Sequence, residues 1–173
     1  SLQGVVVVEI SRSIAASFCC SVLAGLGAEV VKLEEPSDGD PVRMLGPFVD
    51  GAPNAEKGGL FLYLNHDKRS ATLNLEAPEA PEFLTRIVGH ADMVVDDLGL
   101  SERSRLGVQT GWQKINESIV SATLSPFGMN GPYSSWQSTD FTVAALGGWL
   151  YVNGEPSMEP LRSQSQLIVE GVL

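Results

Sequence analysis

Two rhythms of apolar and polar positions alternate along this chain. Residues 5–10 are a run of strand length, apolar but for Glu9, the pattern of a strand buried on both faces. Ser11 or Ser13 can cap the segment that follows, where Ile14, Phe18, Val22 and Leu26 recur at helical spacing with Ala and Cys between them. Gly25 and Gly27 offer a left-handed end to that helix. Residues 30–33 read as a second strand, and residues 36–59 as a long loop rich in Gly, Pro and Asp. A loop of that length in a compact domain is usually functional or mobile. Residues 60–64 are a short apolar piece, helical or extended, and residues 71–75 alternate as a third strand. Residues 78–88 predict a helix with Pro near its start and Gly89 at its stop.

The apolar triplet within residues 92–96 predicts a fourth strand and residues 119–124 a fifth. Short helices are expected at 101–106 and 112–115, a Gly/Asn/Pro/Ser turn at 128–135, and a helix at 139–150 with Thr139 as its cap. Strands alternating with helices predict a parallel sheet with helices on both faces, wound by right-handed crossovers. The expected fold is therefore α/β, Rossmann-like and doubly wound. Ligands of such sheets bind at the carboxyl ends of the strands. Here those ends are residues 11–13, 34–40, 97–100 and 125–131. The loop at residues 11–16 has no Gly-x-Gly-x-x-Gly, which disfavours a dinucleotide-binding domain of the NAD type.

Composition narrows the partners. A chain of 173 residues with 43% hydrophobic content can bury a real core. With 21 acids against 11 bases the formal charge is −10, which argues against nucleic acid and gives no steering for an anionic ligand. Cys19 and Cys20 are neighbours and read as reduced, buried thiols. His66 and His90 have no metal-type partner nearby in sequence, so no metal is expected, and Trp112, Trp136 and Trp149 read as packing residues. No apolar run reaches the roughly 18 residues of a membrane span, and no basic segment leads an apolar one at the start; cytoplasm is the expected location.

Several segments in order have specific wording. They are Val8-Glu9-Ile10-Ser11-Arg12, the run from Leu23 to Lys32, and Gly39-Asp40-Pro41-Val42-Arg43. Asn65, Lys68, Arg69 and Ser70 follow, then Phe127-Gly128 with Gly131-Pro132-Tyr133, Gly154-Glu155-Pro156, and Pro160-Leu161-Arg162. Together they resemble the family III CoA-transferases (the CaiB/BaiF family, which includes formyl-CoA and carnitine CoA-transferases). The resemblance implies that residues 1–173 are the N-terminal Rossmann-like portion of a longer subunit, without the small domain and the return of the chain. It implies coenzyme A or acyl-CoA and a small carboxylic acid as substrates. It also implies either an interlocked homodimer or a second CoA-transferase half as partner. In that family an Asp carboxylate attacks the acyl thioester and releases CoA thiolate, leaving a mixed anhydride. The thiolate then attacks the anhydride, and the resulting aspartyl-CoA thioester passes CoA to the acceptor acid.

The chain departs from that pattern where the chemistry lies. Val169 occupies the aligned nucleophile position, and Gln166 replaces a Pro. Glu170 could serve only if the register slips by one; otherwise it is a solvated helix residue. Ser165-Gln166 is similar to relatives that lack the Asp and form halves of double-domain proteins. On the nucleotide side, Arg105 matches a CoA-contacting Arg and Leu73 a position whose backbone lies near the adenine. Asp97 stands where an Asn contacts CoA, Glu35 where an Arg or Pro is common, and Glu76 where a Lys is common. A unit charge pair at about 4 Å is worth roughly 4 kcal/mol at an effective dielectric of about 20. That is about half of the roughly 8 kcal/mol that holds a micromolar ligand. The His-Asp pair of the racemase branch aligns with Thr139-Asp140, which disfavours racemase chemistry because Thr is no base. Two readings stand: a CoA-transferase whose missing parts lie beyond this stretch, and a catalytically silent scaffold or dimerisation half. In both, the isolated chain is expected to be inactive.

Overall fold

The computed structural model describes residues 1–155, 157–159 and 161. Five parallel strands lie in the order β3-β2-β1-β4-β5, with β1 Val6–Ile10, β2 Glu29–Glu34, β3 Arg69–Thr72, β4 Met93–Asp96 and β5 Val120–Thr123. The helices are α1 Ile14–Gly25, α2 Gly59–Asn65, α3 Ala80–Val88, α4 Leu100–Arg105, α5 Asp140–Leu146 and α6 Trp149–Val152. The chain divides into two units, Ser1–Leu124 and Ser125–Leu173, and the whole sheet belongs to the first. No helix among the described residues is long and apolar enough to cross a membrane.

The strand pleat separates two cores. Val8, Ile10 and Val94 face a layer with Leu84 and Val88 of α3 and the fully buried Trp112. Val7, Val30 and Val95 face Ala16, Cys20 and Ala24 of α1. Here the expected helical stripe is corrected. Ile14 is buried, but Val22 and Leu26 are about half exposed, and the small residues of α1 meet the sheet instead. Small side chains let the helix lie close to the strands. Ser13 caps α1 by accepting the Ala16 N–H at 3.3 Å. Cys19 and Cys20 are free thiols, and burial pushes both up.

The third strand is also shifted. Pairing runs from Val31↔Arg69 to Glu34↔Thr72, so β3 starts two residues before the expected 71–75 and stops at Thr72. Leu73 adds one more bond to the Glu34 carbonyl, and Asn74 then accepts the Glu76 N–H, which turns the chain away. Leu73 and Leu75 mimic a strand in sequence because both face inward from this turn. In the second unit the expected 139–150 helix is broken. Thr139 caps α5, but Gly147 ends it and Gly148, at φ 79°, starts the short α6. The turn before α5 carries Tyr133 and Trp136 with ring centroids 4.4 Å apart.

Charged residues hold the first unit together. Glu9 interrupts the apolar run of β1 and is fully buried. Its Oε1 accepts from Lys32 Nζ at 2.6 Å, and its Oε2 from Lys68 Nζ at 2.8 Å. Ser11 Oγ and Ser17 Oγ also donate to Oε1, at 2.8 and 3.1 Å. Lys32 lies beside Glu9 on the neighbouring strand and meets Asp40 Oδ2 at 2.7 Å. Lys68 also donates to the Ser17 carbonyl and to Asn65 Oδ1, both at 2.8 Å. Burial pushes the Glu9 carboxyl up, but the two ammonium groups outweigh it and hold it below the usual range. Burial pulls Lys32 down, but Glu9 and Asp40 hold it above its usual value. Lys68 is held below its usual value by burial, against the pull of Glu9.

The network shapes the 36–59 loop. Asp40 Oδ1 accepts the Val42 N–H at 2.8 Å and starts a 3-10 turn, Pro41–Met44. Arg43 then grips Glu34 with two bonds, 2.7 and 3.1 Å, while its guanidinium lies 3.8 Å from the centre of the Phe61 ring. Gly58 is required where the two ends of the loop meet, because a Cβ there would sit 2.6 Å from the Arg43 carbonyl oxygen.

Removing one member of a buried network leaves its partners charged and unpaired. Glu9→Gln is expected to lower the unfolding free energy by about 3–5 kcal/mol. Arg12→Gln, which breaks the exposed pair with Glu102, costs less than about 1 kcal/mol. Urea unfolding of both variants measures this, and equal small losses would contradict it. Because the Glu9 carboxyl is depressed, its contribution is complete above the ordinary carboxylate range and is lost as pH falls through its folded value. Glu9→Gln therefore removes part of the acid sensitivity of the wild-type midpoint.

Candidate functional site

A cleft opens at the carboxyl ends of β1, β2 and β4, where the winding of a parallel sheet reverses direction. Its floor is aliphatic, formed by Ile10, Leu33, Leu73, Leu75 and Leu98. Its rim is acidic, with Glu34, Glu35, Asp40 and Asp97, and Arg12 is the one cation lining it among the described residues. The Arg12 guanidinium is paired with Glu102 at 3.0 Å.

Two of the four carboxylates are committed to the scaffold. Asp40 is held by Lys32 and the Val42 N–H. Glu34 is held by Arg43, by Ser70 Oγ at 2.8 Å and by the Asp40 N–H at 3.2 Å. Burial pushes the Glu34 carboxyl up, and the bonds from Arg43 and Ser70 outweigh it and hold it low. Asp97 shapes the first loop. Its Oδ2 accepts the backbone N–H groups of Arg12 and Ser13 at 2.8 and 2.7 Å. Burial nevertheless prevails and pushes the Asp97 carboxyl up. Glu35 is half-buried, follows the end of β2, and makes no side-chain hydrogen bond or ion pair among the described residues.

The structure brings Leu73 and Asp97 into this one cleft. It places Arg105 off it, in the last turn of α4, half-exposed and 4.0 Å from the Glu76 carboxylate. Val169, Glu170, Ser165, Gln166 and Arg162 lie outside the described residues. Behind the cleft, Asp96 accepts from Arg103 at 2.8 Å and from Trp112 Nε1 at 2.7 Å, which fixes the strand end next to Asp97.

Glu9, Lys32 and Lys68 escaped the sequence reading as a unit. The available signal was a charge inside each of two apolar stretches, Glu9 within residues 6–10 and Lys32 within residues 30–33. A charge buried in that setting needs a partner of opposite sign.

The sequence profile described as "CoA-transferase family III" matches residues 2–169. A succinate–glutarate CoA-transferase of Agrobacterium fabrum is 29% identical over 165 residues, which are 94% of this chain and 41% of that protein. The beta subunit of a succinyl-CoA–L-malate CoA-transferase of Chloroflexus aurantiacus is 30% identical, over 98% of this chain and 41% of its own length. The crystal structure of a CaiB/BaiF family protein from Brucella suis superposes with a TM-score of 0.84 at 31% identity, covering 97% of this chain and 44% of that one. The chain thus spans less than half the length of these relatives, and it carries their parallel sheet. It belongs to CoA-transferase family III.

Proposed function

We propose that this chain supplies the CoA-nucleotide cleft of a protein that moves CoA between an acyl-CoA and a small carboxylic acid. The observation that carries the reading is the cleft itself. An aliphatic floor at the carboxyl ends of parallel strands, with Leu73 and Asp97 in its wall, suits a flat base and a ribose. Arg105 lies off this cleft beside Glu76 and takes no part in the reading. Cytoplasm suits such chemistry, and the partner of the reading is a second copy of this chain or a second CoA-transferase half.

The reacting carboxylate is assigned separately. Val169 cannot attack a thioester, and Glu170 is the nearest acid. A catalytically silent scaffold or dimerisation half therefore remains the second reading, favoured by the acidic rim.

Two measurements test this. In amide NMR spectra of the chain titrated with CoA, shifts are expected to cluster at Ser11, Leu73 and Asp97, and Leu73→Asp is expected to abolish them. Scattered shifts, or none, would sink the cleft as a CoA site. Incubation with an acyl-CoA followed by hydroxylamine should leave the isolated chain unmodified; a hydroxamate mapped to Glu170 would show that it is the nucleophile after all.

A further inference from the structure

The loop between β1 and α1 has already spent the backbone donors that could greet an anion. Asp97 Oδ2 accepts the Arg12 and Ser13 N–H groups at 2.8 and 2.7 Å, and Ser13 Oγ accepts the Ala16 N–H at 3.3 Å. Two nearby basic side chains are spent as well. Lys32 is buried between Glu9 and Asp40, and Arg43 is clamped on Glu34. Arg12 differs from both. It lines the cleft, its side chain is 47% exposed, and among the described residues one carboxylate holds it, Glu102 at 3.0 Å. Glu102 has a second duty. Its Oε2 accepts the Gly99 N–H at 3.0 Å at the start of α4, while its Oε1 receives Arg12. Glu102 therefore keeps a partner when the guanidinium leaves it, and the Asp97 bond keeps the Arg12 backbone in place.

An exposed pair of this kind is weak, so its guanidinium is available for exchange. A phosphate is the better partner, because it carries more charge and offers two oxygens to the guanidinium fork. We propose that Arg12 binds a phosphate of CoA in this cleft and exchanges Glu102 for it. Against a rim with four carboxylates, Arg12 supplies the positive charge that a phosphorylated ligand needs. Glu102 then acts as a built-in competitor: it parks the guanidinium at the cleft and gives it up to a stronger anion. The proposal rests on the cleft being the CoA site, as proposed above, and adds the residue that recognises the phosphate and the one that opposes it.

Calorimetric titration of the 173-residue chain and two variants with CoA, at low and at high salt, tests it. Arg12→Gln is expected to weaken CoA binding at least about tenfold at low salt and to flatten its salt dependence. Glu102→Gln is expected to act in the opposite direction and tighten CoA about threefold, because the amide still accepts the Gly99 N–H but competes less for the guanidinium. Both variants break the same ion pair, so a purely structural role would move CoA affinity the same way in each; circular dichroism checks that both are folded. Equal affinity of the wild type and Arg12→Gln, or weakening by Glu102→Gln, would overturn the role of Arg12 while leaving the CoA cleft in place. Failure of the wild type to bind CoA would overturn the cleft, and the role with it.

Discussion

One carboxylate, Glu9, sits at the centre of the sheet between two ammonium groups, and the wall of the cleft depends on that balance. Lys32 comes from the adjacent strand, Lys68 from the turn after α2, and Asp40 from the loop beyond β2. No two of these are neighbours in sequence. Their mutual attraction fixes where β1, β2, α1 and the 36–59 loop meet. Buried charges of this kind add little net stability compared with a well-packed apolar core, but they strongly penalise any arrangement that leaves one unpaired. They therefore act on specificity, by making one placement of the loop far better than its alternatives.

This gives the shared family wording a physical meaning. The Asp40 and Arg43 of Gly39-Asp40-Pro41-Val42-Arg43 attach the loop to Lys32 and Glu34. Asn65 and Lys68 attach the end of α2 to Glu9 and α1, and Ser70 supports Glu34. These residues build the cleft from behind. Glu35 and Asp97 line the same cleft, and of the two carboxylates only that of Asp97 is tied to the scaffold, through the Arg12 and Ser13 amides.

The sequence made the inner strands legible because strands buried on both faces are written as apolar runs, and β1, β2 and β4 lie where such runs lie. The caps at Ser13 and Thr139 were legible for a similar local reason. The outer strand was not. β3 is exposed along its length, so its register comes from pairing with β2, and the pattern of Leu73 and Leu75 marked the cleft floor instead. The buried face of α1 was hidden by its own small residues, whose apolar signal is weaker than that of Phe18 and Val22. For the cleft, Leu73 and Asp97 came from resemblance, while the Glu9 network needed three-dimensional placement to be seen as one object.

The most direct measurement of this account is amide hydrogen exchange in Lys32→Met compared with the wild type. The Val42 and Arg43 amides are bonded to Asp40 Oδ1 and to the Asp40 carbonyl at 2.8 and 2.9 Å, so they report on the loop. Both are expected to lose protection far more than the Val94 and Val95 amides in β4, because the loop has lost its charged anchor while the core remains. Equal losses throughout, or unchanged protection in the loop, would contradict the claim that buried charge holds the wall of the cleft.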